Sequence, residues 1–147
     1  MENLGYIYRR TINLSDTDAA GVIYFANLLH ICHEAYEFCL TELGFNWQQL
    51  LNAGEIAIPI VHADIACLKP IRWGDRLIVQ LFPVIHPTKP SQFKIQYLLF
   101  KDNSDILVAK GSTKHIAIST GDRQRCDFPE ILEKWLHNAP KYSDPKT

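Results

Sequence analysis

The chain holds no apolar run approaching the ~18 residues that cross a bilayer. Its opening, Met1-Glu2-Asn3-Leu4-Gly5, lacks the basic and then apolar segments of a secretory leader. Both absences lead to the expectation of a cytoplasmic protein with no membrane partner. Charge of one sign is missing too: 15 Lys and Arg stand against 16 Asp and Glu, a formal net charge of -1. That balance builds no broad cationic face for a phosphate backbone, so no nucleic acid is expected as a partner. The 4 cysteines, Cys32, Cys39, Cys67 and Cys126, form no C-x-x-C pair. They read as free core thiols rather than as a disulfide or zinc framework. No repeat and no low-complexity linker divides the sequence.

What is present suits one domain. A length of 147 residues, 47% apolar and 11% aromatic, supports a single unit over 1–147 with its core over about 5–120. Residues 5–14 alternate as a strand, with Tyr6, Tyr8, Ile12 and Leu14 on one face, Arg9, Thr11 and Asn13 on the other, and Arg10 as an interruption. From Val22 to Leu43 the spacing becomes helical: Phe25, Leu28, Cys32, Ala35, Tyr36, Cys39 and Leu43 form a stripe. Ile23, Leu29, Ile31, Phe38 and Leu40 widen it, leaving a narrow polar strip of Asn27, His30, Glu34, Glu37 and Thr41. Such a helix must be wrapped by the rest of the chain. Gly44 ends it, and Phe45 to Gly54 reads as a short helical or irregular piece.

Strand signals then dominate over 57–67, 76–85, 92–101 and 106–118, separated by Pro70/Gly74, Pro87/Pro90 and Asp102-Asn103-Ser104-Asp105. They predict an antiparallel meander. Pro129 introduces a short helix over 130–136, and Lys141 to Thr147 reads as a frayed tail. The fold class is therefore α+β, a curved antiparallel sheet wrapped around one long central helix. Unpaired sheet edges and leftover apolar surface predict a second copy as partner.

The densest chemistry lies in Asp16-Thr17-Asp18-Ala19-Ala20-Gly21-Val22-Ile23-Tyr24-Phe25, an acidic loop running through a glycine into the helix. An acid there stands beside backbone N–H groups that a helix leaves unpaired, so one place offers both a nucleophile or base and donors for an oxyanion. Asp16 reads first as a cap of the turn. Gly21 sets the loop geometry. Tyr24 and Phe25 either border an aromatic ligand or pack in the core.

The pattern D-x-D-x-x-G-x-x-Y at Asp16 to Tyr24, with Cys32-His33-Glu34-Ala35-Tyr36-Glu37, Pro59-Ile60-Val61-His62-Ala63, Gly74-Asp75-Arg76-Leu77 and Thr113-Lys114-His115 in that order, resembles the hotdog-fold acyl-CoA thioesterases of the 4-hydroxybenzoyl-CoA thioesterase-like group. The resemblance covers roughly residues 5–120. It implies hydrolysis of an aromatic acyl-CoA, first of all 1,4-dihydroxy-2-naphthoyl-CoA in phylloquinone biosynthesis. The alternative is a broader thioesterase acting on 4-hydroxybenzoyl-CoA-like or short-chain esters. It makes Asp18 the catalytic carboxylate and the backbone N–H of Phe25 an oxyanion donor. Lys89 and Ser91, in the His86 to Ser91 loop, fall where such enzymes meet the nucleotide of CoA, and Tyr24, at the first helical turn, is the candidate to border the acyl group.

No metal and no other cofactor is expected, and a homodimer or homotetramer is the expected assembly. His30 and His33 lie one helical turn apart without a third ligand. Glu34 and Glu37 are weaker candidates for the catalytic acid than the loop acid, and His62, Asp64 and His115 stay outside the catalytic set. A hotdog hydratase, which would place a histidine in the loop, and a non-catalytic acyl-CoA binding module are the remaining alternatives.

Overall fold

The computed structural model describes residues 5–145; the sequence readings of Met1 to Leu4 and of the last two residues lie outside them. β1 (Tyr6–Thr11) is shorter than the expected strand. Ile12 leaves the ladder for the turn before β4: its N–H donates to Asp75 O at 2.8 Å and its carbonyl accepts from Gly74 at 2.9 Å. Leu14 is not on an inward face. It opens a 3-10 turn (Leu14–Asp16) and is 70% exposed. Arg10 proves to be no interruption, because it continues the inward row of Tyr6 and Tyr8, where Glu34 receives both Tyr8 and Arg10.

The long helix, α1, runs from Ala26 to Glu42, four residues shorter at its start than the apolar pattern predicts. Val22 and Ile23 are apolar, yet they are drawn into sheet-type bridges with Arg72 and Thr17. β-branched residues fit such extended pairing better than a first helical turn. Phe25 and Leu43 therefore drop out of the expected stripe and are exposed, while Ile31 and Leu40 join Leu28, Cys32, Ala35, Tyr36 and Cys39 as its buried face. α2 (Trp47–Ala53) is capped by the Asn46 side chain, which accepts from Gln49 N–H at 2.9 Å, and it ends at Gly54.

The remaining strands are β2 (Ile56–Ala57), β3 (Ile60–Cys67), β4 (Arg76–Ile85), β5 (Gln92–Lys101), β6 (Leu107–Ile116) and β7 (Ile118–Ser119). Pro59 lies between β2 and β3, where the expected 57–67 strand divides, and β7 splits from β6 to pair with β2. The main sheet is antiparallel with order β1-β4-β5-β6-β3. Only β4, β5 and β6 form the predicted meander. β3 crosses to the far edge beside β6, so its neighbours in sequence are not its neighbours in space.

Close approach at that edge requires Gly111 on β6, where a Cβ would collide with the Asp64 carbonyl and the Ile65 side chain of β3. β3 itself is exposed along nearly its whole length, from Ile60 to Asp64 and again at Ala66 and Cys67. Two of the thiols, Cys32 and Cys39, are in the core, but Cys67 is exposed on β3 and Cys126 is half-buried, so not all four are core thiols. Among the described residues no helix is long and apolar enough to cross a membrane.

α1 lays its buried face on the inward side chains Leu77, Val79, Leu81, Phe93, Ile95, Tyr97 and Leu99. α3 (Glu130–His137) closes one end with Leu132, Trp135 and Leu136. Tyr6 stacks on Trp135 at 5.1 Å and donates its hydroxyl to the Trp135 carbonyl at 2.9 Å. The segment after α3 lies ordered against the sheet at least to Asp144, contrary to a frayed tail. Tyr142 meets Phe82 edge-on at 5.4 Å and Asp144 pairs with Lys110 at 3.6 Å.

His115 sits fully buried within this core, parallel to Phe93 at 4.6 Å, its Nε2 2.8 Å from Thr113 Oγ1. Burial, with the nearby His33, pushes its pKa down to about 3. The unfolded chain takes up a proton near pH ~6.5 that the folded one refuses. Stability is therefore full above that pH and falls as pH drops toward the folded value. His115→Gln is expected to remove a loss of ~1.4 kcal/mol per pH unit between pH 6 and 4. Urea unfolding at pH 7, 5 and 4 measures it, and an unchanged slope would mean that the folded state accepts the proton.

Candidate active site

The loop between the 3-10 turn and α1 is hung on two fixed points. The first is Arg10. Its guanidinium grips Asp16 through two bonds, Nη1 to Oδ2 at 2.6 Å and Nη2 to Oδ1 at 3.1 Å, and reaches Glu34 on α1 from Nε at 2.7 Å. Tyr8 donates to the same glutamate at 3.1 Å. These groups are largely out of water, with side-chain exposures of 14% for Arg10, 9% for Asp16 and 27% for Glu34. The Arg10 hydrogen bonds hold the Asp16 carboxyl below the usual carboxylate range, and Asp16 in turn raises Arg10 further above its own.

Asp16 ties the loop at both ends. Asn13 N–H donates to its Oδ2 at 2.7 Å, while Tyr24 N–H and the Asn27 amide both donate to its backbone carbonyl at 2.9 Å. With both carboxyl oxygens bonded and the side chain only 9% exposed, Asp16 is an anchor of the loop rather than an acid presented to a substrate.

The second fixed point is the strand-like stretch before β4. Ile23 N–H donates to Ile71 O at 2.7 Å and Trp73 N–H to Gly21 O at 3.1 Å. Gly21 holds φ at +78° with open space where a Cβ would stand, so the demand on this position is its backbone angle rather than close packing.

Between these anchors Asp18 stands out into solvent. Its N–H donates to Val22 O at 2.8 Å, its carbonyl accepts from Gly21 at 3.1 Å, and its Oδ1 accepts from Ala20 N–H at 2.8 Å. Its other carboxyl oxygen has no protein partner among the described residues. Phe25 has helical angles (φ -52°, ψ -43°) at the start of α1, and its N–H meets no acceptor among the described residues. Tyr24 and Phe25 are 58% and 54% exposed. One short segment thus carries a carboxylate with a free oxygen, unpaired amide hydrogens at a helix start, and two uncovered rings. That set suits attack on a carbonyl whose oxygen becomes negative.

Other sequence candidates fall elsewhere. Glu34 is the partner of Arg10, with His30 Nε2 at 3.6 Å, and is unavailable as a free acid. Glu37 is exposed on α1. His33 packs near the Tyr36 ring at 5.8 Å, and among the described residues no three His, Cys, Asp or Glu side chains are grouped to hold a metal. His62 and Asp64 lie 3.8 Å apart on the exposed β3 edge. Lys89 is exposed and Ser91 half-buried in the β4–β5 connection. The Asp18 loop joins the sheet before β4 and that connection follows it, so one copy does not bring them together with Asp18. The missed residue is Arg10. Its signal was present, an arginine in phase with Tyr6 and Tyr8, which demands a buried acid opposite.

Residues 12–136 match the thioesterase-like superfamily, and the chain belongs to that family. It is 54% identical over 147 residues to a 1,4-dihydroxy-2-naphthoyl-CoA hydrolase of Picosynechococcus sp., covering 97% of this chain and 99% of that protein. In structure it is similar to a 1,4-dihydroxy-2-naphthoyl-CoA thioesterase from Synechocystis, with a TM-score of 0.85, 33% identity, and coverage of 90% and 96%. A gentisyl-coenzyme A thioesterase follows at a TM-score of 0.72 and 25% identity, with coverage of 88% and 98%.

Proposed function

We propose that the protein hydrolyses an aromatic acyl-CoA thioester, first of all 1,4-dihydroxy-2-naphthoyl-CoA, to the free acid and CoA, a step of phylloquinone synthesis. The reading rests on the Asp18 carboxylate, exposed with one unengaged oxygen, lying on the loop that delivers the unpaired Phe25 N–H. The two relatives named for the naphthoyl ester support the substrate. In fold terms the sheet wraps around α1 as the central helix, and two copies pair through β3.

Phe25 N–H donates to the thioester oxygen as negative charge builds on it. Asp18 acts in one of two ways. As nucleophile its carboxylate adds to the acyl carbon, the C–S bond breaks, CoA leaves as thiolate and takes a proton, and water opens the resulting anhydride. As general base it removes a proton from the water that attacks the same carbon; the C–S bond then breaks, and CoA leaves as thiolate and takes a proton. A thiolate leaves readily, so neither route needs a strong acid.

Free-thiol release across a panel of CoA esters tests the assignment. The naphthoyl ester is expected to show the highest kcat/KM, by ~10-fold or more over one-ring esters that fill less of an apolar pocket. A preference for a one-ring ester favours the second reading, an enzyme for smaller aromatic acyl groups, to which the similarity with the gentisyl enzyme points. No thiol release from any ester overturns both.

A further inference from the structure

Among the described residues the aromatic rings more than half exposed are Tyr24, Phe25 and Trp73, and only the first two lie on the Asp18 loop itself. Trp73 is the most exposed of them, at 64%. The other tryptophans are embedded. Trp135 is fully buried and stacks on Tyr6 at 5.1 Å, while Trp47 meets Tyr36 at 5.3 Å and Phe45 at 4.5 Å edge-on. Trp73 has neither a ring neighbour nor an acceptor for its Nε1 among the described residues. A tryptophan is large and highly buried on average, so an indole left in water leaves an unusual amount of apolar surface without a partner.

The backbone is built to hold it there. Asp75 N–H donates to Arg72 O at 3.0 Å and Gly74 holds φ at +86°, so Arg72 to Asp75 form a type II turn with Trp73 at its second position. Three bonds pin the turn: Arg72 N–H donates to Asp75 Oδ2 at 2.8 Å, Gly74 N–H to Ile12 O at 2.9 Å, and Trp73 N–H to Gly21 O at 3.1 Å. The last of these joins Trp73 to the Asp18 loop. Gly21 and Val22 run between the two, since Asp18 N–H donates to Val22 O at 2.8 Å on one side and Val22 bridges Arg72 on the other. Adjacent extended segments lie ~4.8 Å apart, which sets the Asp18 and Trp73 backbones ~10 Å apart. Ile23 and Ile71 bury the underside of this strap, so Asp18 and Trp73, both exposed, share its solvent side. Every contact in this chain lies within one copy of the protein.

An acyl group attacked from Asp18 has its carbonyl carbon at the carboxylate and its rings extending away. Aromatic rings in contact keep their centroids about 4.5–7 Å apart. A fused two-ring group laid from Asp18 toward Trp73 therefore brings its outer ring to the indole, and a single ring stops short. We propose that Trp73 is a specificity-determining residue that stacks on the outer ring of a fused aromatic acyl group and so sets the preference for two rings over one; the proposal rests on the thioesterase reading above.

The test measures thiol release by W73A and W73F with 1,4-dihydroxy-2-naphthoyl-CoA and with 4-hydroxybenzoyl-CoA. W73A is expected to cut the naphthoyl-to-benzoyl ratio of kcat/KM by ~10-fold, the scale of a lost ring contact. The change should lie in KM for the naphthoyl ester, with its kcat within about twofold, as loss of uniform binding requires. W73F keeps a face to stack on and restores most of the ratio. An unchanged ratio, or a fall in kcat alike for both esters, means that Trp73 only supports the loop and overturns the proposal. A W73A protein whose oligomeric state changes by light scattering marks the indole as covered by a second copy, and overturns it as well.

Indole 15N–1H spectra read the site without turnover. The chain has 3 tryptophans, and W73F assigns the Trp73 Nε1–H signal. The acid 1-hydroxy-2-naphthoate is expected to shift that signal and 4-hydroxybenzoate to leave it in place; a signal moved by neither, or equally by both, overturns the proposal. A Trp73 signal that follows the naphthoate in a protein releasing thiol from neither ester refutes the thioesterase reading and leaves the aromatic site standing. Thiol release with an unmoved signal does the reverse.

Discussion

Asp18→Asn is expected to lower kcat for the naphthoyl ester by ~10³-fold, the scale of losing a positioned base or nucleophile, while stability moves by less than ~0.5 kcal/mol. The two halves of that result have separate causes. Asp18 contributes one hydrogen bond to the loop, from Ala20 N–H, and a carboxamide oxygen accepts it equally well. Its exposed position leaves no desolvated partner behind. The free oxygen is another matter: an amide neither attacks an acyl carbon nor takes a proton from water.

Asp16→Asn is the control, since it disturbs the ion pair beneath the loop and lowers stability first. Thiol release and urea unfolding, measured on both variants, give the comparison. Turnover in Asp18→Asn within tenfold of wild type would remove Asp18 from the reaction. Single turnover of the wild type in oxygen-18 water then tests the nucleophilic route: label retained in the Asp18 carboxyl marks an anhydride opened at the aspartyl carbon, whereas label only in the released acid marks attack of water at the acyl carbon, of the thioester or of the anhydride.

Most of the sheet and the buried helix were legible because period-2 and period-3.6 patterns are local. β4, β5 and the body of α1 lie within a few residues of where alternation and the apolar stripe put them. Pairing order is not local. Nothing in the run 60–67 distinguishes a strand beside β4 from one beside β6, and the contact that decides it, Gly111 against the Asp64 carbonyl, joins residues far apart in sequence. Val22 and Ile23 misled for a related reason, since their hydrophobicity suits a helix face and a sheet bridge alike, and only the partner stretch at Ile71 to Trp73 selects the bridge. The loop acids were visible as a motif, yet which of them is engaged depended on Arg10, whose pairing requires β1, the loop and α1 together.

That three-way pairing makes Arg10→Met the largest expected loss of stability. Removing one partner of a largely buried ion cluster costs about 3–5 kcal/mol, because the remaining charges keep their desolvation without compensation. The lower end applies here, since Glu34 keeps 27% of its exposure. A loss of ~3 kcal/mol corresponds to a melting point lower by roughly 10 °C.

Adding Asp16→Asn and Glu34→Gln to Arg10→Met is expected to recover part of that loss, since neutral amides buried in the same places carry a smaller penalty. The pH response separates charge from packing. In the wild type the Asp16 carboxyl is held below its ordinary value of 3.8, so its contribution is present above that pH and disappears as pH falls through the lowered folded value. Without Arg10 the largely buried carboxyl titrates higher, and acid should no longer weaken the fold through this residue.

Unfolding in urea between pH 6 and 2 is expected to show a shallower acid dependence for Arg10→Met than for wild type. Parallel curves would mean that the arginine acts through its packed stem alone. Because Asp16 also holds Tyr24 N–H and the Asn27 amide through its backbone carbonyl, the same variant should release the start of α1. Thiol release at a temperature where it remains folded is then expected to fall more than ~10-fold, the scale on which misplacing a catalytic group is felt.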